Sequence, residues 1–301
     1  MRRFQEAYRP GRACFFSAHV MISSPIYLSF VDLGIEIRSN SPDANALIMV
    51  NFSALRSEYS KAADLVYEIT ENDKGFVIRR SNSNAPVVLS ARHPAEFLYV
   101  LEKDLVIECQ KLRPDLYFLH AAALSYRDTA FLLVAPSGGG KSTTCWGLVN
   151  HGCGYLSDEL APIHLQDFQI HPFPHALCLK SEPQSPSPYR LPRDTLRTGP
   201  RSHVPTEAFP VSIVNCPISL AAIFHIEHIS TDTIPSAMDI SAAQSAALLY
   251  ANALNPLSHA WAGLDAAVDI ARHSRNFRIF SGALDLTVTE ILSTLDKARP
   301  L

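Results

Sequence analysis

With 301 residues the chain is long enough for one large or two modest domains with cores of their own. Apolar content of 47% against 18% charged residues excludes a disordered chain, and a formal net charge of −3 excludes a whole-molecule attraction to nucleic acid or an anionic membrane. No run is long and apolar enough to span a bilayer, and the basic start at Arg2 and Arg3 is followed by Glu6, Arg9 and Arg12 where a signal peptide would have an apolar stretch. The expected setting is the cytoplasm, with neither nucleic acid nor membrane as partner. Six scattered cysteines (Cys14, Cys109, Cys145, Cys153, Cys178 and Cys216) form no C-x-x-C pair and read as free, mostly buried thiols.

Residues 1 to about 98 read as a small β-rich N-terminal domain. Short alternating segments at 26–31, 35–37, 47–50, 66–69, 76–78 and 87–89 are separated by Asn, Ser, Pro and Gly turn signals. Nothing there has catalytic spacing, and substrate recognition is its candidate role. From His93 to Leu112 the period changes: Phe97, Leu98, Leu101, Leu105, Val106 and Cys109 recur at helical spacing, and Pro114 stops the helix. A strand is expected over 116–124. His120 within it reads, on spacing alone, as a core histidine with one satisfied nitrogen.

The stretch that carries chemistry follows. The apolar run Phe131 to Ala135 suits a buried strand, breaks at Pro136 into Ser137, Gly138, Gly139 and Gly140, and runs into Lys141, Ser142, Thr143 and a helix to about His151. Strand, glycine loop, Lys-Ser/Thr and helix are the ordered parts of a phosphate-binding P-loop. Glycines let successive N–H groups converge on an anion, and the helix N-terminus adds unsatisfied donors and its positive dipole end. Lys141 is expected to reach the β/γ-phosphates of ATP and Ser142 to ligate Mg²⁺. Ala135 stands where the first motif glycine usually does, at a strand end that does not need a positive φ.

After Gly152 and Gly154 a short strand, 155–160, carries the adjacent carboxylates Asp158 and Glu159. A P-loop kinase needs an acid for Mg²⁺ and a base near the acceptor hydroxyl. Neighbouring residues of an extended backbone point to opposite faces, so one pair can divide the tasks. A hairpin is expected over 161–171, turning at Gln166 and Asp167, and a strand over 176–180. His164, His171 and His175 lack the regular spacing and Cys or Asp partners of a zinc site. Residues 181–210, rich in proline and serine and carrying Arg190, Arg193, Arg197 and Arg201, read as a long mobile loop that buries no core. A strand at 218–229, a capping box at Ser241 to Gln244 opening a helix to about Ala253, a helix over 256–272, a strand over 277–280 and a helix over 287–298 complete the chain.

His120, the Ala135 to Thr144 loop, His151 to Glu159 and the Pro172 to Lys180 segment together resemble the C-terminal kinase domain of HPr kinase/phosphorylase. They resemble most closely the HPr-kinase-like proteins of peptide natural-product pathways, including lasso-peptide precursor kinases. The resemblance spans about residues 100 to 301. It implies an α/β P-loop kinase core (HPr kinase/PEP-carboxykinase-like) with the small β-rich domain in front, using ATP and Mg²⁺ to phosphorylate a serine of a peptide or small protein. It also raises His120 to an active-site residue supporting Asp158. The usual Asp-Asp pair is Asp158-Glu159 here, so which acid is base and which holds Mg²⁺ stays open. The Gly-rich signature loop of true HPr kinases is not recognisable, which argues against HPr as acceptor and against phosphorylase activity. A nucleotide-dependent switch or ATPase and a small-molecule kinase are the competing readings, and a homo-oligomer is compatible with each.

Overall fold

A computed structural model describes residues 24–58, 62–81, 86–180 and 189–298. The first sheet contains β1 (Ile26–Phe30), β2 (Leu33–Ser39), β3 (Leu65–Asn72), β4 (Gly75–Arg80) and β5 (Val87–Ala91) in that order. Its one parallel pair, β2 with β3, is joined through helix α1 (Pro42–Phe52), and α2 (Pro94–Leu112) follows β5.

Helix α1 corrects the strand expected at 47–50. The Ser41 side chain accepts from the Ala44 amide at 3.0 Å, Pro42 opens the helix and Asp43 sits in its first turn. Ala44, Leu47, Ile48, Asn51 and Phe52 then fall on one buried face. The apolar run therefore satisfies a helical period that its Ser-Pro-Asp start selects.

Helix α2 buries Phe97, Leu101, Leu105 and Cys109 in the same core as the first sheet. That side is also pinned by Arg80, whose guanidinium lies 2.7 Å from Asp104 and 3.1 Å from Glu108, while Tyr67 donates to Asp104 at 2.9 Å. A domain limit at 98/99 thus falls inside α2. Leu116, Phe118, Leu160 and Phe173 from later elements complete this core.

The expected strand 116–124 is two, β6 (Leu116–Leu119) and β7 (Ala122–Tyr126). The break at His120 occurs because the two pieces pair with different partners. Next come β8 (Thr129–Val134), α3 (Lys141–Val149), β9 (Gly154–Ser157), β10 (Ala161–His164) and β11 (Gln169–Ile170). They are followed by β12 (Leu177–Leu179), β13 (Leu196–Thr198), β14 (Arg201–Val204) and β15 (Ile218–His228). The chain closes with β16 (Ser236–Asp239), α4 (Ala242–Ala251), α5 (Gly263–His273), β17 (Arg275–Ser281) and α6 (Leu284–Lys297). A 3-10 segment, Pro256–Ala262, replaces the start of the helix expected at 256. The Ser241–Gln244 capping box is present in full.

Parallel β8, β15 and β17 form the centre of the main sheet; β7 lies antiparallel beside β8 with β9 antiparallel to β7, and β16 lies antiparallel beside β17. Strands β6, β10 and β11 join at the start of β15. Alternation along β8 explains its unbroken apolar sequence. Phe131 and Leu133 pack in the core with Trp146, Val288 and Ile291 of α3 and α6. Leu132 and Val134 pack in the core with Leu249 and Ile270 of α4 and α5. The chain is a mixed α/β protein whose glycine loop leaves the carboxyl end of a central, doubly covered strand.

The expectation for 181–210 is corrected over 189–210; residues 181–188 lie outside the described residues. Strands β13 and β14 pair with each other, and β14 pairs with β12. Tyr189, Val204 and Phe209 are buried against the second core, and the Tyr189 carbonyl accepts from the Trp146 indole at 2.9 Å. Proline and arginine dominate the composition there, but a few apolar residues at intervals are enough to hold the segment down.

Candidate active site

At the end of β8 the chain turns through 135–140 into α3. Gly138 and Gly140 have φ of +84° and +89°, a conformation that favours glycine, and a side chain at either would meet nothing within 4 Å. The requirement at both positions is therefore conformational. Gly140 caps α3, so the first free amides of the helix open on the loop. Lys141 is only 6% exposed, and its amine donates to the Ala135 carbonyl at 2.6 Å, folding back over the loop. Burial, with the nearby Lys180 cation, pulls its pKa down while Glu159 and Asp158 pull it up.

A 130 Å³ cavity above this loop gathers His120, Ser137, Lys141, Ser142, Asp158 and Glu159. Gly138, Gly140 and Thr143 also line it, while Gly139, whose amide donates to the Pro136 carbonyl at 2.9 Å, supports the turn from outside. The residues singled out in sequence, 39 positions apart at their extremes (His120 and Glu159), thus face one space or the turn beneath it.

Asp158, just beyond β9, has no solvent exposure. One carboxylate oxygen lies 3.3 Å from the Tyr155 hydroxyl and 3.2 Å from Nε2 of His175, and the other accepts from the Cys178 amide at 3.2 Å. Burial raises the carboxyl to about 7, His175 opposing and Glu159 adding to the shift. A carboxyl titrating there can take a proton near neutral pH. His175 is itself fully shielded; Glu102 and Asp158 raise its pKa against the effect of burial.

His120 makes a different contact. Its Nδ1 lies 3.1 Å from the Glu159 carbonyl, which can only accept, so Nδ1 carries the proton and Nε2 keeps its lone pair. Burial and Lys141 lower the ring's pKa, so it is neutral. It holds the Asp158-Glu159 turn by its backbone.

Two contributors were not legible as such in the sequence. Lys180, at the end of β12, donates to the Ser137 hydroxyl at 2.8 Å and brings a second cation to the loop. His175 reads in sequence only as a weak zinc candidate; among the described residues no cluster of three metal-binding side chains occurs. His164 instead meets Asp167 at 2.9 Å. In sequence Lys180 reads as the last residue of the strand expected over 176–180 and as the end of the Pro172 to Lys180 segment, with no role assigned to it. Of the four arginines at 190–201, three are exposed, and Arg201 alone turns toward the site.

Fold and site define a mixed α/β protein in which a glycine loop, two lysines and a carboxylate pair face one cavity. No family model matches the chain, and no curated protein matches it. Among solved structures the chain is similar to the Hpr(Ser) kinase/phosphatase from Coxiella burnetii. The identity is 12%, the match covers 60% of this chain and 91% of that one, and the TM-score is 0.32. A likeness that slight leaves the chemistry to the residues themselves. No described helix is long and apolar enough to cross a membrane.

Proposed function

We propose that the chain is an ATP- and Mg²⁺-dependent P-loop kinase that phosphorylates a serine hydroxyl of a peptide or small protein. The observation that carries this reading is the single cavity shared by Lys141, the glycine loop, His120 and the Asp158-Glu159 pair. At 130 Å³ it suits phosphate groups and falls below the roughly 300 Å³ at which whole-ligand pockets begin. Hollows of 230 and 530 Å³ that flank the loop leave room for the nucleoside.

Loop amides, Lys141 and Lys180 neutralise the phosphoryl group as charge builds on its oxygens. The Ser142 hydroxyl and Glu159 are the residues that would hold Mg²⁺. Two protein ligands fit an ion that keeps its other positions for phosphate and water. When bound, it supplies charge neutralisation between the phosphates. Asp158 takes the serine proton as the serine oxygen bonds to phosphorus and the bond from phosphorus to the departing diphosphate oxygen breaks. His175 and the Tyr155 hydroxyl orient that carboxylate, and neutral His120 fixes the turn that carries both acids. Asp158 lines the cavity with no exposed surface of its own, so an acceptor hydroxyl must enter the cavity to meet it. A ribosomally made precursor peptide, such as a lasso-peptide precursor, is an acceptor of the right kind.

ATP labelled on the γ-phosphate tests the reading. Label should move to serine in a mixed serine-peptide pool; release as inorganic phosphate alone would favour a hydrolase or switch.

A further inference from the structure

Beside the phosphate cavity lies a larger groove of 470 Å³, and His120, Glu159 and Cys178 line both. One wall is the face of α2 turned away from the Arg80 network, where Leu98, Tyr99, Val106 and Ile107 are interleaved with Glu102 and Lys103. Tyr99 is 53% exposed and Ile107 38%, on a helix whose opposite face buries Phe97, Leu101, Leu105 and Cys109. The lining runs from Ala95 to Gln110, 16 residues, or about 22 Å of helix from first to last. That is longer than a free amino acid and equals about six residues of extended chain. Asn51, Arg201 and His203 line the floor and can serve peptide N–H and C=O groups; the Arg201 side chain makes no hydrogen bond among the described residues.

Building on the kinase reading, we infer that this groove is the acceptor site, binding an extended polypeptide segment along α2. The segment delivers its serine hydroxyl past Glu159 and seats an aliphatic or aromatic neighbour on the Tyr99–Ile107 wall. Continuity with the phosphate cavity is what selects the acceptor as occupant. The length of the wall selects a polypeptide over a small molecule. An apolar side chain there is worth roughly 10- to 200-fold in specificity.

The test uses the full chain, labelled MgATP and an array of serine peptides in which positions on either side of the serine are varied. Phosphorylation should favour apolar over polar residues at one or more flanking positions by at least about tenfold. The preference should collapse in the Tyr99→Ser/Ile107→Ser double variant and persist in Val88→Ser, an exposed apolar position outside the groove. MgATP affinity, measured by calorimetry, should be the same in all three proteins. Phosphorylation without apolar preference, or a preference that survives the double variant, overturns the groove and leaves the kinase reading standing; equal use of free serine overturns the groove and favours a small-molecule kinase. Nucleotide binding with no peptide phosphorylated would count against the kinase reading itself, and the groove would fall with it. Failure of the wild type to bind MgATP would instead sink the kinase reading on which the groove rests.

Discussion

Replacing Lys141 with methionine separates the two consequences of holding a cation inside a small cavity. In the free protein that amine is 6% exposed and donates to the Ala135 carbonyl. The charged hydrogen bond is worth roughly 1.5–3 kcal/mol, and the burial that lowers the lysine's pKa offsets most of it. Lys141→Met should therefore change the stability of the free protein by only about 1 kcal/mol, since exchanging a buried ion for an apolar side chain of similar length is often near neutral. Binding behaves differently, because a phosphate facing the cavity loses its charged partner, at a cost of about 2 kcal/mol or more. With MgATP at roughly 100 times its wild-type Kd, the wild type gains about 2.7 kcal/mol. The same concentration stabilises the variant by about 0.9 kcal/mol or less. At roughly 2 °C per kcal/mol for a chain of this size, thermal melts should show a MgATP shift of about 5 °C falling to below about 2 °C. Equal shifts in the two proteins would refute the phosphate role of Lys141. A variant that unfolds without ligand would make the lysine a structural strut.

Glu159→Gln should raise the Mg²⁺ concentration needed for half-maximal nucleotide binding, read by calorimetry across a Mg²⁺ series; an unchanged requirement removes Glu159 from the metal. His225, buried with Nε2 2.8 Å from the Ser245 hydroxyl, is held down to about 4 by burial. Its folded pKa lies below the unfolded value near 6.5, so acid protonates the unfolded chain first and stability falls as pH drops from about 6.5 to about 4. Between about pH 7.5 and pH 5 this histidine alone should cost roughly 2 kcal/mol. In urea titrations, His225→Gln should lose that part of the pH dependence; identical slopes in both proteins would contradict it. Phe173, fully buried with its ring 4.4 Å from Phe30 and 4.9 Å from His175, joins the first core to the site. Phe173→Ala should cost about 3–5 kcal/mol in urea unfolding, and a loss below about 1 kcal/mol would show that the two regions do not share a core.

What could be read from the sequence was what is written locally. The strand before the loop, the glycines at positive φ and the opening of α3 at Lys141 follow from neighbouring residues, and so does the Ser241 capping box. Asp158 and Glu159 could be found because they end a short strand one helix later. His120 stood out only through resemblance, since one histidine in an apolar strand carries no local signal. His175 and Lys180 were hidden because their contacts, to Asp158 17 residues back and to Ser137 43 residues back, exist only after β12 is laid against the loop. The errors also have local causes. At 47–50 apolar residues outvoted the Ser41-Pro42-Asp43 start, and over 189–210 proline and arginine content masked the few buried side chains that anchor the segment.

Asp158→Asn tests the central claim most directly, because it keeps the shape of the side chain while removing its basicity. Nucleotide binding and phosphate transfer to a serine peptide should be measured side by side, by calorimetry and mass spectrometry. A general base acts in the transition state, so MgATP affinity should stay near that of the wild type while transfer slows roughly 10²- to 10⁴-fold. Transfer at the wild-type rate would contradict the account.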